Sequence, residues 1–443
     1  MLSAMRTRPR SVARGALRQA TLVEQHPSVA RKRHTDAAEL QCAPKKTRAR
    51  TPRRRTPPPP PESITEHVAR KTALSVTDLV SPSWCEYAYL YNILAQSHLP
   101  LWKRPQSITT PDGNVLTPSW AQLQAREEVL ARGTEIHDAL EREVQPVELT
   151  FRFETPADEW ALYVLQFAAS LCAARRGRAR EVPVLGFVHG RLVRGIVDEL
   201  RFEKGGVVVS DTKTRHSTRL PSEADQMQAR LQCMLYKRLI DGLYTGITGT
   251  EMPGRDPYAE PVAFAAVAET LHIDLDARLS DAFLEDVAEM IATTATPWHV
   301  AQVDGLSLRA AVDLAREALL LLLQDTPMPI GEKLELVYVC RGDAKPLGVE
   351  AFADAPDVLQ TYLNHLFTLL RGVRRPEGVD VQSTRRCDSC AWREGCEWRA
   401  AQASAALERV RRAALPLPVA FASSDDEALW SEFSLDHLVD LQW

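Results

Sequence analysis

Val193-Arg194-Gly195-Ile196-Val197-Asp198-Glu199-Leu200, then Gly205-Gly206, then Val207-Val208-Val209-Ser210-Asp211-Thr212-Lys213 is the stretch on which the fold turns. Two runs rich in β-branched residues flank a pair of glycines, which predicts a β-hairpin. Asp198 falls late in the first strand, and Asp211 and Lys213 at the end of the second. Side chains two apart share a strand face, so Asp211 and Lys213 project together. Two carboxylates and a lysine at one edge of a sheet can hold a hard cation beside a water, chemistry suited to cutting a phosphodiester. Taken alone, Asp-x-Lys reads as readily as a solvated ion pair.

The flanking sequence adds to the pattern. A basic loop follows, Thr214-Arg215-His216-Ser217-Thr218-Arg219. A helix is then predicted over 222–242, with Gln228, Gln232 and Tyr236 as a polar stripe at i, i+4 and i+8. Leu231, Met234, Leu235, Leu239 and Ile240 supply its apolar side.

Four of the eight cysteines form a set: Cys85 far upstream, then Cys387-x2-Cys390-x5-Cys396. This is not the paired arrangement of a zinc ribbon. Four thiolates without a histidine suit an iron–sulfur cluster, with zinc as the second reading. No secretory apolar stretch opens the chain, so disulfides are not expected. Cys42, Cys172, Cys233 and Cys340 lack ligand spacing.

With these residues in view, the chain resembles the exonuclease V family of eukaryotic iron–sulfur nucleases, in the RecB-like branch of the PD-(D/E)xK superfamily. The matching stretches include Leu74-Ser75-Val76-Thr77-Asp78-Leu79, Trp84-Cys85-Glu86, Gly133-Thr134-Glu135-Ile136-His137 and Glu181-Val182-Pro183-Val184. They continue through Gly195-Ile196-Val197-Asp198-Glu199-Leu200, Asp211-Thr212-Lys213-Thr214-Arg215 and Gln232-x3-Tyr236. Pro376-Glu377-Gly378-Val379-Asp380 and the cysteine triad with Glu397-Trp398-Arg399 complete the set. One departure is Asp211, where many relatives carry glutamate; a shorter carboxylate still ligates a divalent metal.

The resemblance implies an α/β, restriction-endonuclease-like PD-(D/E)xK core with helical insertions. It implies that an iron–sulfur (4Fe-4S) cluster, held by the four thiolates of Cys85, Cys387, Cys390 and Cys396, closes that core. It implies that His137, Asp198 and Asp211 hold Mg²⁺ or Mn²⁺, with the Thr212 carbonyl. Lys213 would orient or activate the attacking water, and Gln232 and Tyr236 would position Lys213 or the scissile phosphate. Gly133 would allow a close helix approach, and Glu181 would support the site. The substrate implied is single-stranded DNA cut from a free end, in nuclear or mitochondrial DNA repair or genome maintenance. Arg194, Arg215 and Arg219 are the candidate contacts to its backbone. Other readings are an endonuclease of the same superfamily and a non-catalytic iron–sulfur scaffold in DNA repair. No Gly-x4-Gly-Lys-Ser/Thr loop occurs, so no helicase motor is expected. Trp84, Trp392 and Trp398 either shield the sulfurs or serve as core aromatics.

Charge divides the chain. Residues 1–61 hold 15 Lys and Arg against 3 acids, a balance of +12. The whole chain is −4, which leaves −16 on residues 62–443. DNA binding must therefore use a local basic track rather than net charge. Residues 1–61 are expected to be a disordered basic tail: an Arg-rich, acid-free start suited to a mitochondrial presequence, then a nuclear signal or nucleic-acid arm at 45–55. Residues 62–400 form the nuclease domain. Residues 401–443 hold a helix, a Pro-containing linker and an acidic amphipathic tail. Trp430, Phe433 and the tail's leucines suit a helix docked on the nuclease or on a basic single-strand-binding protein. No membrane contact is expected, and the protein is expected to be a monomer. Helices are predicted at 119–144, 157–174, 222–242, 279–294, 306–324 and 356–372, and strands at 182–189, 191–203, 206–213, 262–273 and 333–340.

Overall fold

Six strands build a mixed sheet around the hairpin. The computed structural model describes residues 63–144, 148–175, 177–203, 206–293, 298–323 and 330–414, with a two-residue strand at 14–15. The basic arm and the acidic tail lie outside these residues, as does Gly205. The strands are β1 (Leu74–Ser75), β2 (Arg178–Val188), β3 (Arg191–Glu203), β4 (Gly206–Arg215), β5 (Ile330–Cys340) and β6 (Pro346–Ala353). β2, β3 and β4 run antiparallel in sequence, β4 and β5 pair in parallel, and β6 closes the edge against β5. Glu203 pairs with Gly206 at the end of the β3–β4 ladder.

The helices are α1 (Ile64–Ala69), α2 (Val76–Val80), α3 (Glu86–Leu94), α4 (Trp120–Val144), α5 (Pro156–Ala174), α6 (Glu223–Thr248), α7 (Phe264–Leu271), α8 (Asp281–Thr293), α9 (Leu308–Leu323), α10 (Pro356–Leu370) and α11 (Glu397–Ala414). Arg194 of β3 reaches Glu159 on α5, whereas Gly195 faces Tyr236 on α6. Alternation along the strand therefore places α5 and α6 on opposite faces of the sheet. α5 is apolar all round and buried along nearly its whole length, as a helix covered on every side must be. α6 starts on the Ser222 cap and ends at Gly249 in the left-handed region (φ 73°).

One expected strand is corrected. Residues 262–273 contain α7, not a strand; the Phe-Ala-Ala-Val-Ala-Glu-Thr-Leu run is alanine-rich, and alanine favours helix strongly. β6 was not expected, because Pro-Leu-Gly-Val-Glu-Ala-Phe-Ala shows little strand preference and is recruited by pairing with β5. Among the described residues, no helix is long and apolar enough to cross a membrane.

α6 also packs closely on the segment leading into α7. A methyl group at Gly246 would lie 2.4 Å from the Val262 carbonyl oxygen and 2.6 Å from its nitrogen. Gly246→Ala is expected to cost roughly 1–3 kcal/mol of stability through overpacking. Gly249→Ala meets open space and pays only the left-handed backbone, about 1–2 kcal/mol. Urea midpoints measure both, and a Gly246→Ala protein with the wild-type midpoint would refute the close contact.

Candidate active site and cysteine cap

The site lies where β3 and β4 part. Glu199 pairs with Ser210, and the ladder between the two strands ends there. β1 takes up the same edge of β3 only at Val193 and Arg194. In the fork between them, the Thr212 N–H donates to Asp198 Oδ2 at 2.8 Å. The Thr212 carbonyl lies 3.1 Å from His137 Nε2. A carbonyl can only accept, so Nε2 is the donor, and Nδ1 is turned toward Asp198, 3.7 Å from Oδ2.

Glu181 lies across from Asp198 on β2. Its neighbours Arg180 and Val182 pair with Glu199 and Val197, while Glu181 drops out of the ladder. Its φ of 50° is left-handed, uncommon for a non-glycine residue and strained inside a strand. The ligand atoms of His137, Glu181 and Asp198 all lie within 4.8 Å of one another. Burial, then the Asp198 and Glu141 charges, push the Glu181 carboxyl up to about 8. The sequence marked Glu181 only as a support for the site; its unusual backbone makes it a full member of the cluster.

Asp211 and Lys213 flank that cluster, in line with the alternation. Asp211 is fully buried; burial raises its carboxyl, Lys213 pulls it down, Asp198 raises it again, and it settles at about 7. Lys213 Nζ donates to Asp211 Oδ1 at 3.0 Å and to Gln232 Oε1 at 3.2 Å. Burial opposes the lysine's charge, but Asp211 and Asp198 outweigh it and hold the ammonium well above its ordinary range. Gln232 Nε2 donates in turn to the Tyr236 hydroxyl at 3.0 Å. Gly195 makes room for that ring: a methyl group there would lie 2.8 Å from Tyr236 Cε1. The cluster pairs hard carboxylate oxygens with one imidazole nitrogen. Such a donor set fits Mg²⁺ or Mn²⁺.

Two expectations change here. Arg194 is engaged by Glu159 at 2.5 Å and lies over the Trp160 ring, so it packs α5 against the sheet rather than facing a nucleic acid. Gly133 is not demanded by a close approach, since a methyl group there would sit an ordinary 3.5 Å from Thr214 Oγ1. Arg215 is half-buried over Tyr338, and Arg219 is exposed on the loop leaving β4.

The four cysteines meet elsewhere. Cys85, Cys387, Cys390 and Cys396 line one hollow, with Trp84 and Trp398 in its wall. Trp392 instead is buried in the core against Tyr91. Burial, then the neighbouring thiols, push Cys85 up to about 11. The cap is also fastened without its thiols. Glu86 receives both Arg374 terminal nitrogens, at 2.6 and 2.5 Å, and Glu397 accepts from Thr110 and Asn114, each at 2.6 Å.

Comparison with known proteins gives the class first. The family model described as "Exonuclease V - a 5' deoxyribonuclease" matches residues 116–207 and 201–399. Exonuclease V of Danio rerio is 31% identical over 336 residues, covering 74% of this chain and 71% of that protein. The crystal structure of SSO0001 aligns with 75% of this chain and 91% of that one at 14% identity, but a TM-score of 0.30 carries no argument. The matches place a mixed α/β chain among the nucleases, hydrolases of nucleic acid. The chain belongs to the exonuclease V family.

The raised carboxyls generate a pH prediction. Glu181 stands at about 8 against an ordinary 4.5. The folded protein therefore holds a proton that the unfolded chain releases across that window, and stability falls as pH rises through it. Above pH 8, without divalent metal, Glu181→Gln should be more stable than wild type by roughly 1–3 kcal/mol. At pH 4 the difference should vanish. Urea unfolding at the two pH values checks this; equal stability at both would show that the carboxylate is not crowded.

Proposed function

We propose that this chain is a single-strand-specific DNA exonuclease that hydrolyses phosphodiester bonds from a 5′ end with a divalent metal, on a core of the PD-(D/E)xK type. The observation that carries the reading is the convergence at the fork of His137, Glu181, Asp198, Asp211 and Lys213 from four different elements. The family's description as a 5′ deoxyribonuclease supports DNA as the substrate and the polarity.

The residues suggest distinct tasks. His137, Glu181, Asp198 and Asp211 would hold Mg²⁺ or Mn²⁺, which when bound polarises a phosphate and lowers the pKa of water. Asp198 also fixes the end of β4 through the Thr212 N–H. Lys213, kept charged by Asp211 and Asp198, suits an electrostatic partner for charge building on the phosphate better than a base. Gln232 and Tyr236 hold its ammonium in place. Arg215 and the exposed Arg219 are placed to track a single strand's backbone beside the site.

The cap supports an iron–sulfur cluster on Cys85, Cys387, Cys390 and Cys396. Four thiolates lining one hollow, with no histidine among them, suit a four-iron cube, with zinc as the second reading. The basic residues 1–61 support a mitochondrial or nuclear address and a role in DNA maintenance there. The acidic tail supports docking on a single-strand-binding protein.

End-labelled linear and circular single strands, with and without Mg²⁺, test the reading. Metal-dependent release of short products from the linear strand alone is expected; cutting of the circle would make the enzyme an endonuclease. Asp198→Ala and Lys213→Ala should each lose about 10³-fold in rate, with DNA binding kept. Protein purified without oxygen should carry about four irons per chain, and Cys85→Ser should lower that content. Stoichiometric zinc in its place would decide against the cluster.

A further inference from the structure

Both long helices that serve the fork begin at the cysteine cap. α4 carries His137, and its first turn is tied to the cap's backbone: the Ser119 N–H donates to the Ala391 carbonyl at 2.7 Å, and Gln122 Nε2 donates to the Asp388 carbonyl at 3.0 Å. Most of residues 124–135 between these ties and the sheet are exposed. Between its ends the helix is largely exposed, held there by Arg132, which donates to the Arg341 and Gly342 carbonyls at 3.0 and 3.1 Å, and by Glu127, which accepts from Arg104 at 2.7 Å. His137 lies fifteen residues beyond Gln122, about 22 Å along the axis.

α6 carries Gln232, the partner of Lys213, and is tied to the cap at its first turn as well. Arg386, next to Cys387, donates to the Ala224 carbonyl at 2.7 Å and stands 3.7 Å from Asp225 Oδ1. It also reaches the carbonyl of Trp84, beside Cys85, at 3.4 Å. Arg385 adds a contact to Asp225 Oδ2 at 2.5 Å. Arg386 is largely buried, its side chain 15% exposed, so the contact is shielded better than an ordinary surface pair. Gln232 follows Asp225 by two helical turns, about 10 Å.

We infer that Gln122 and Arg386 are positioning residues: through them the cap sets the two halves of the active site separately, Gln122 the metal-holding half by way of α4 and His137, Arg386 the Lys213 half by way of α6 and Gln232. The inference rests on the fork being the active site. Neither residue touches the reacting atoms. The two routes share the cap but use different helices and end on different groups, so they are separable in measurement. A cap that merely stabilised the fold would weaken both halves together.

The test uses Gln122→Ala, Arg386→Gln and Asp225→Asn in the full chain. Three readouts are taken: iron per chain, the dissociation constant for Mn²⁺ by electron paramagnetic resonance of the free ion, and kcat on linear single-stranded DNA at saturating Mn²⁺. Gln122→Ala should keep its iron, bind Mn²⁺ on the order of tenfold more weakly, and recover its kcat when Mn²⁺ saturates. Arg386→Gln and Asp225→Asn should keep iron and Mn²⁺ affinity and lose roughly tenfold in kcat at every Mn²⁺ concentration. Asp225 lies outside the cap, so its variant separates a misplaced α6 from a damaged cap. Variants that retain iron and match wild type in both readouts, or that shift both readouts together, overturn the inference. Loss of iron in all three also overturns it, by marking the contacts as part of cap assembly. Wild-type protein that binds no Mn²⁺ refutes the metal reading of the fork, and the inference falls with it.

Discussion

One backbone amide organises the candidate site. When β4 leaves β3 after Ser210, the Thr212 N–H loses the partner that a continued ladder would supply. Thr212 is buried, and an unmet buried donor costs about 1–3 kcal/mol. Asp198 meets it with Oδ2. The carbonyl of the same residue is met by His137. Opening the sheet therefore calls for a carboxylate and an imidazole at the place where they can also face a cation. Asp198 thereby serves the fold, and the chemistry proposed for the fork would ask for the same carboxylate.

Burial, then neighbouring carboxylates, press on the acids of the fork. Glu181 and Asp211 both stand well above the ordinary carboxylate range, and Glu181 also bears a left-handed backbone within a strand. Lys213 answers Asp211 directly, and Gln232 and Tyr236 fix its position. Locally strained and electrostatically crowded groups of this kind gather where a ligand is to be bound, because the ligand relieves what the fold alone does not.

What could be read in the sequence divides along physical lines. That Asp211 and Lys213 project together, and Gln232 and Tyr236 likewise, was legible because strand alternation and helical spacing are local and strict. His137 rested on a resemblance, since nothing local says where a lone helical histidine will point. Glu181 was underrated because its orientation depends on a φ that no residue-type pattern announces. Arg194 was misjudged because its partner, Glu159, lies on a different element. β6 and α7 were missed for opposite reasons, one being a strand made by its neighbour and the other an alanine-rich helix in a region read as strand. The anchors Gln122 and Arg386 left no signal, because each binds main-chain carbonyls, which every residue type supplies.

The largely exposed middle of α4 has a consequence for which sequence changes the protein can accept. Exposed helical positions usually tolerate almost any side chain, and those between 124 and 135, Glu127 and Arg132 apart, should be permissive in that respect. Chain length is another matter. One residue added or removed there would turn everything beyond it by about 100° and slide it by about 1.5 Å. With the near end fastened to the cap, that change would be delivered whole to His137. A stretch of surface free to vary in letters would thus be held to a fixed count of them.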